Sequence, residues 1–162
     1  MVDAVELRGA MVNGGEGIQW CVRGRLRAMD FPLVMGVINA TPDSFHAGSR
    51  RNSVEAVLRA AERMLEEGAA ILDVGGVSTR PGAGNVEEAV ERERAIPAIA
   101  ALARRFPEAL LSIDTWRASI AEEAVAAGAG LVNDVGAGLL DAAMLPTVAR
   151  LHVPYILMHI QG

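Results

Sequence analysis

From Leu33 to the end of the chain one unit recurs: a short, continuously apolar run, a polar turn-prone loop, then a helix-forming stretch. The runs are LVMGVIN, ILDVGG, LLSID, LVND and YILMH. Between the first two, Asn52 stands three residues ahead of Glu55, the spacing of a capping box, for a helix running to about Glu67 with Gly68 as its stop. Asn85 stands likewise before Glu88, for a helix to about Arg105 with a kink point at Pro97. Two more helices are expected over 117–127, closed by Gly128, and over 141–151.

Five strand signals alternating with four helix signals, at connection lengths suited to βαβ units, make this an α/β chain with a parallel sheet. Strands that are apolar at every position suit a sheet covered on both faces. Each run carries a side chain able to hydrogen-bond or ionise at or near its C-terminal end: Asn39, Asp73, Asp114, Asn133 and His159. In a (β/α) TIM-barrel several strands contribute one functional group each at that end, whereas a doubly wound sheet gathers its site at one switch point. A barrel is therefore expected, with this chain covering about the first five of eight βα units. Residues 1–32 are glycine-rich and read as an N-terminal extension with one strand over 18–22; residues 33–162 read as the incomplete barrel domain.

Composition narrows the chemistry. Of 162 residues, 51% are apolar and 22% charged, enough for a real core. Acidic residues outnumber basic ones by 20 to 15, and the net charge of -5 argues against nucleic acid as the main partner. Every basic residue is arginine, which excludes lysine Schiff-base and lysine general-base chemistry within these residues. Cys21 stands alone, so an internal disulfide and a multi-cysteine metal cluster are excluded, and a reducing cytoplasmic setting is expected. The first residues lack the basic-then-apolar layout of a secretion leader, and no apolar run approaches the roughly 18 residues needed to span a membrane.

Several residues have two readings. Asn39 at a strand end can ligate a hard cation through its carbonyl or hold a phosphate through its amide, and the loop TPDSF behind it can equally be an ordinary turn. In STRPGAG, Thr79 can donate to an oxyanion and Arg80 can pair bidentately with phosphate or carboxylate, or Arg80 can simply pair with a nearby acid. Asp114 and Asn133 together can read a flat heterocycle, unless Asp114 merely caps the helix after it; Asp134, one residue beyond Asn133, competes with Asn133 as the next cap. The three histidines lack metal-ligand spacing, so His159 is as well explained by structure as by catalysis.

Taken together, VMGVINATPDSF, ILDVGGVSTRPGA, LLSIDTWRASIAEEAV, AGLVNDVGAG and YILMHIQG resemble, in order and spacing, the successive motifs of the dihydropteroate synthases, over about residues 33–162. That resemblance implies a TIM barrel that condenses 6-hydroxymethyl-7,8-dihydropterin pyrophosphate with p-aminobenzoate to give 7,8-dihydropteroate in folate biosynthesis. It implies that Asn39 helps hold Mg2+ and the pyrophosphate and that Thr79 and Arg80 lie near the pyrophosphate. It further implies that Pro81 and Phe45 border p-aminobenzoate and that Asp114 and Asn133 bind the pterin ring. It leaves the roles of Asp73 and His159 open, and implies a homodimer for the full-length protein.

The sequence also departs from the family. Val77 stands where many members have glutamate, and Ala47 where many have a first-loop aspartate. Members continue past the MHIQG-like motif to further strands bearing another pterin-binding aspartate, a lysine, an arginine and a histidine. Residues 1–162 alone are therefore expected to be inactive. Two other readings stay open: a truncated, non-catalytic pterin- or pyrophosphate-binding module, and a pterin-dependent methyltransferase of the same fold, which should lack TPDSF and STRPGA.

Overall fold

The computed structural model describes residues 18–22, 24–29, 32–40, 50–77 and 86–158. An antiparallel hairpin, β1 (Ile18–Val22) and β2 (Arg25–Met29), precedes the repeating part. Then follow β3 (Met35–Asn39), α1 (Arg50–Glu66), β4 (Ile71–Gly75), α2 (Glu88–Arg105), β5 (Leu110–Asp114), α3 (Ala118–Ala127), β6 (Leu131–Asp134), α4 (Met144–Leu151) and β7 (Tyr155–Leu157). The five later strands form one parallel sheet in the order β3-β4-β5-β6-β7. A sequential order without reversal is that of a barrel wall, and it lacks the switch point of a doubly wound sheet.

Alternation along the strands divides the sheet into two faces. Ile38, Leu72, Val74, Leu111, Ile113 and Val132 lie on one face and pack against the helices through Val57, Ile99, Leu102, Ile120 and Met144. On the other face the lowest positions, Ile71, Leu110 and Leu131, pack against Val22 and Trp20 of the hairpin. Arg27 ties the hairpin down by donating to the Glu108 carbonyl at 3.0 Å. The upper positions of that second face hold the polar residues, so the face opposite the helices becomes more polar toward its C-terminal edge.

Several sequence expectations need correction. β2 was not expected; its arginines alternate with Leu26 and Ala28, and Gly24 at φ 72 makes the tight turn that pairs it with β1. α1 begins at Arg50, so Asn52 lies inside its first turn and cannot be the cap; two arginines are adequate helix formers and carry the helix upstream. α2 takes Glu87 as its N-cap, without a side-chain cap bond, so Asn85, which lies outside the described residues, is not the cap. The helix continues through Pro97. Gly68 (φ 100) and Gly128 (φ 121) end α1 and α3 as expected.

α4 starts at Met144, three residues later than expected, because Asp141 is used elsewhere. Its carboxylate accepts the Ala143 N–H at 2.9 Å and, across to the neighbouring helix, the Ala118 N–H at 2.8 Å. It thereby caps α3 from outside. These backbone donors hold the Asp141 carboxyl below its ordinary pKa.

Two stability predictions follow from these contacts. Asp141→Ala should cost about 1 kcal/mol in urea denaturation at neutral pH. Because the folded-state pKa is lowered, that contribution is complete above the ordinary aspartate value of about 3.9 and fades as pH falls below it. The gap between wild type and variant should therefore close in acid. Glu91, fully buried on α2, is ion-paired with Arg117. Arg117→Met leaves that carboxylate uncompensated and should cost about 3–5 kcal/mol, whereas Glu91→Leu combined with Arg117→Met should cost much less. Equal losses in the single and double variants would show that the pair's charge is not what matters.

Candidate active site

Register gathers the strand-end residues. Asn39, Gly75, Asp114, Asn133 and Ile156 lie side by side in one row across β3 to β7. Val37, Asp73, Ser112 and Leu131 form the row beneath, on the same face. Three predicted residues (Asn39, Asp114 and Asn133) thus share a row, and Asp73 belongs to the next one down. Asn39, on the edge strand, is exposed and stands two strands from Asp114, roughly 10 Å at parallel-strand spacing. Gly75 fills the position between them without a side chain: a Cβ there would sit 3.3 Å from Asp114 Oδ2.

Asp114 is not a helix cap. The α3 N-terminus is served by Asp141, and the Arg117 N–H goes to Thr115 Oγ1 at 3.2 Å. Asp114 remains half-buried, and its carboxyl is pushed up to about 7 by burial and, next, by the negative charges of Asp73, Glu91 and Asp134. A carboxylate raised by burial and by surrounding acids, and left without a structural task, suits a ligand that brings N–H donors.

Asn133 donates from Nδ2 to Asp73 Oδ2 at 2.9 Å, reaching from β6 across β5 to β4. Burial raises the pKa of Asp73 above the ordinary range, while Ser112 and Asn133 alongside pull it the other way. Asp73 Oδ1, Ser112 Oγ and Asn133 Oδ1 are buried without a hydrogen-bond partner among the described residues. Asp134, the other suggested cap, is spent on structure. It accepts the Gly136 and Gly138 N–H groups at 2.6 and 2.8 Å and the Tyr155 hydroxyl at 2.6 Å, and so shapes the loop after β6.

The arrangement behind Asp114 was not read from the sequence. Thr115 Oγ1 donates to Glu91 Oε1 at 2.6 Å, and Arg117, paired with Glu91, also donates to the Val86 carbonyl at 2.7 Å. Arg94 donates to the Gly76 carbonyl at 3.2 Å. A Cβ on Gly76 would sit 2.8 Å from the Glu91 carbonyl oxygen, so α2 lies directly against the end of β4. The available signal was the helical phase: Glu91, Ala95, Ala98 and Leu102 follow one buried stripe, with a carboxylate where an apolar residue belongs. Ser112, the one polar residue inside LLSI, was another.

Phe45, Thr79, Arg80, Pro81 and His159 lie outside the described residues, as does Ala47. Val77 is buried. Among the described residues no three His, Cys, Asp or Glu side chains are grouped to hold a metal ion. Nor is any helix among them long and apolar enough to cross a membrane.

Known proteins resemble this chain in sequence and in backbone. Residues 35–162 match the family model described as "Pterin binding enzyme". Dihydropteroate synthase of Streptococcus pyogenes is 46% identical over 128 residues, covering 79% of this chain and 48% of that protein. The Bacillus subtilis dihydropteroate synthase is 44% identical over 127 residues, 78% of this chain and 44% of that protein. The structure of Xanthomonas albilineans dihydropteroate synthase with 4-aminobenzoic acid superposes with a TM-score of 0.81 at 44% identity, over 89% of this chain and 52% of that one. The same enzyme in complex with 7,8-dihydropteroate gives 0.75 at 40% identity, over 88% of this chain and 51% of that one. The chain thus spans about half the length of the relatives it matches. Matching in motif order, in sequential strand topology and in backbone along nearly all of its repeating part, the chain belongs to the pterin-binding enzyme family.

Proposed function

We propose that the protein carrying this sequence is a dihydropteroate synthase, condensing 6-hydroxymethyl-7,8-dihydropterin pyrophosphate with p-aminobenzoate to give 7,8-dihydropteroate. The observation that carries this reading is the row Asn39–Asp114–Asn133 in a chain of this family. A carboxylate and an amide on adjacent strands match the N–H donors and carbonyl of a pterin ring. Asn39, two strands away, is set apart enough to serve the other end of the same substrate.

The reaction breaks the bond from the pterin methylene carbon to the pyrophosphate oxygen, which leaves with the electron pair. The arylamine nitrogen then bonds to the electron-deficient carbon and loses a proton. Such chemistry depends on neutralising the leaving group more than on a strong base. Thr79 and Arg80 donate to the pyrophosphate, Arg80 through its bidentate fork. Phe45 and Pro81 border the p-aminobenzoate and help exclude water from the carbon under attack. Asn39 offers a hard amide oxygen that would help hold Mg2+. Bound there, Mg2+ supplies charge neutralisation to the departing pyrophosphate. The active protein is a cytoplasmic homodimer.

The test is product formation by the full-length protein from the two substrates, with variants to assign roles. Asp114→Asn should weaken pterin binding by about 1.5–3 kcal/mol, the scale of a charged hydrogen bond. Since Asp114 accepts ring N–H groups as the anion and titrates at about 7, wild-type pterin affinity should rise between about pH 6 and 8, and the variant should show no such rise. The linked stability effect has the opposite sign. A raised pKa means stability that is full below the ordinary aspartate value and lost as pH rises through about 7. Asp114→Asn should therefore be more stable than wild type at about pH 8 and equal to it near pH 4.

Arg80→Lys keeps the charge and loses the fork. Calorimetry with Mg2+ present should show weaker pyrophosphate binding and unchanged pterin binding. Unchanged pyrophosphate affinity would remove Arg80 from the site.

A further inference from the structure

Asp73 is a charged residue, 2% exposed, in the middle of a strand, opposite a fully buried Ser112. It has no ion-pair partner among the described residues and is not a cap. Lying one row below Asn39, Asp114 and Asn133, it presents almost no surface to a ligand resting on that upper row. Its hydrogen bond is with Asn133, one strand beyond its immediate neighbour, at 2.9 Å.

An asparagine side chain can present either its oxygen or its nitrogen in a given direction. Beside an ionised carboxylate that freedom is lost, because a carboxylate only accepts. The Asp73 contact therefore fixes which end of the Asn133 amide points down into the sheet and holds the rotamer with it. We propose that Asp73 is a positioning residue for pterin recognition, locking the Asn133 amide in the one orientation that reads the ring. The proposal rests on the ring-binding role of Asn133 given above. It also gives a reason for a carboxylate buried in the sheet between Ser112 and Asn133. Ordinary core packing would not retain such a group, since burying a carboxylate is costly.

The experiment uses the full-length protein at about pH 8, well above the ordinary aspartate range. The probes are 6-hydroxymethylpterin and inorganic pyrophosphate with Mg2+, each titrated calorimetrically. Asp73→Asn should weaken pterin binding about tenfold, the effect of a lost charged hydrogen bond, and leave pyrophosphate binding unchanged. Asn133→Ala should weaken pterin binding comparably or more. Adding Asp73→Asn to Asn133→Ala should produce no further loss, since Asp73 acts only through the amide.

Wild-type pterin affinity in Asp73→Asn, or losses that multiply in the double variant, would overturn the proposal. Should Asp73→Asn not fold, the wild-type protein supplies the second measurement. The side-chain NH2 protons of Asn133 should exchange slowly with solvent, and one of the two should show the downfield shift of a hydrogen bond to carboxylate. A freely rotating, fast-exchanging amide refutes the lock. If Asn133→Ala and Asp114→Asn both leave pterin binding intact, the ring assignment itself fails, and the amide resonances still report on the Asp73–Asn133 contact.

Discussion

A carboxylate can be taken out of water only if donors come with it. Three buried acids, Asp73, Glu91 and Asp134, apply that constraint at three points, and much of the structure around the site is arranged to meet it. Asp134 is met by two backbone N–H groups and a tyrosine hydroxyl, which set the path of the chain after β6. Glu91 is met by Thr115 and Arg117, which tie the end of β5 to the start of α2. Asp73 is met by the Asn133 amide on one oxygen. The first two acids are consumed by structure; the third is joined to a residue of the upper row.

The same acids explain the electrostatics. Asp114 is the half-buried one, and it stands in the fields of all three. Burial first, and then the negative charges already there, hold back ionisation of its carboxyl, which is pushed up to about 7. Fixing the scaffold with buried carboxylates thus also makes the site responsive to a ligand that donates hydrogen bonds. The buried acids and Asp114 are electrostatically one system, although Asp114 alone among them is left only half-buried.

How much of this was legible in the sequence depended on whether a local pattern encoded it. Apolar runs with polar ends gave the strands β3 to β7, and the same polar ends gave Asn39, Asp114 and Asn133. Their common row was not visible, because register is set by pairing across strands and no single run records it. The capping signal misled at Asn52, and at Asp114 the alternative reading as a cap fails on geometry. A cap is a geometric relation, and here Asp141, 23 residues downstream, supplies the bond to Ala118 that proximity would assign to Asp114. β2 escaped notice because its alternation is short and half charged, and only the turn at Gly24 marks it. The Glu91 network was encoded as an acid on an apolar stripe, a signal that says a partner exists without naming Thr115 or Arg117.

The paired glycines at the end of β4 face opposite sides of the sheet and are glycine for opposite reasons. At position 75 the missing side chain leaves room for the Asp114 carboxylate, on the face of the Asn39–Asp114–Asn133 row. At position 76 it leaves room for the backbone of α2 at Glu91, on the helix side. Substitutions at the two adjacent positions should therefore have different consequences. Changes in the first bear on the row that holds Asp114, and changes in the second on whether the polypeptide assembles at all. In a population of variants, alleles at one position should be recovered as folded proteins with altered binding. Those at its neighbour should be recovered as loss of protein.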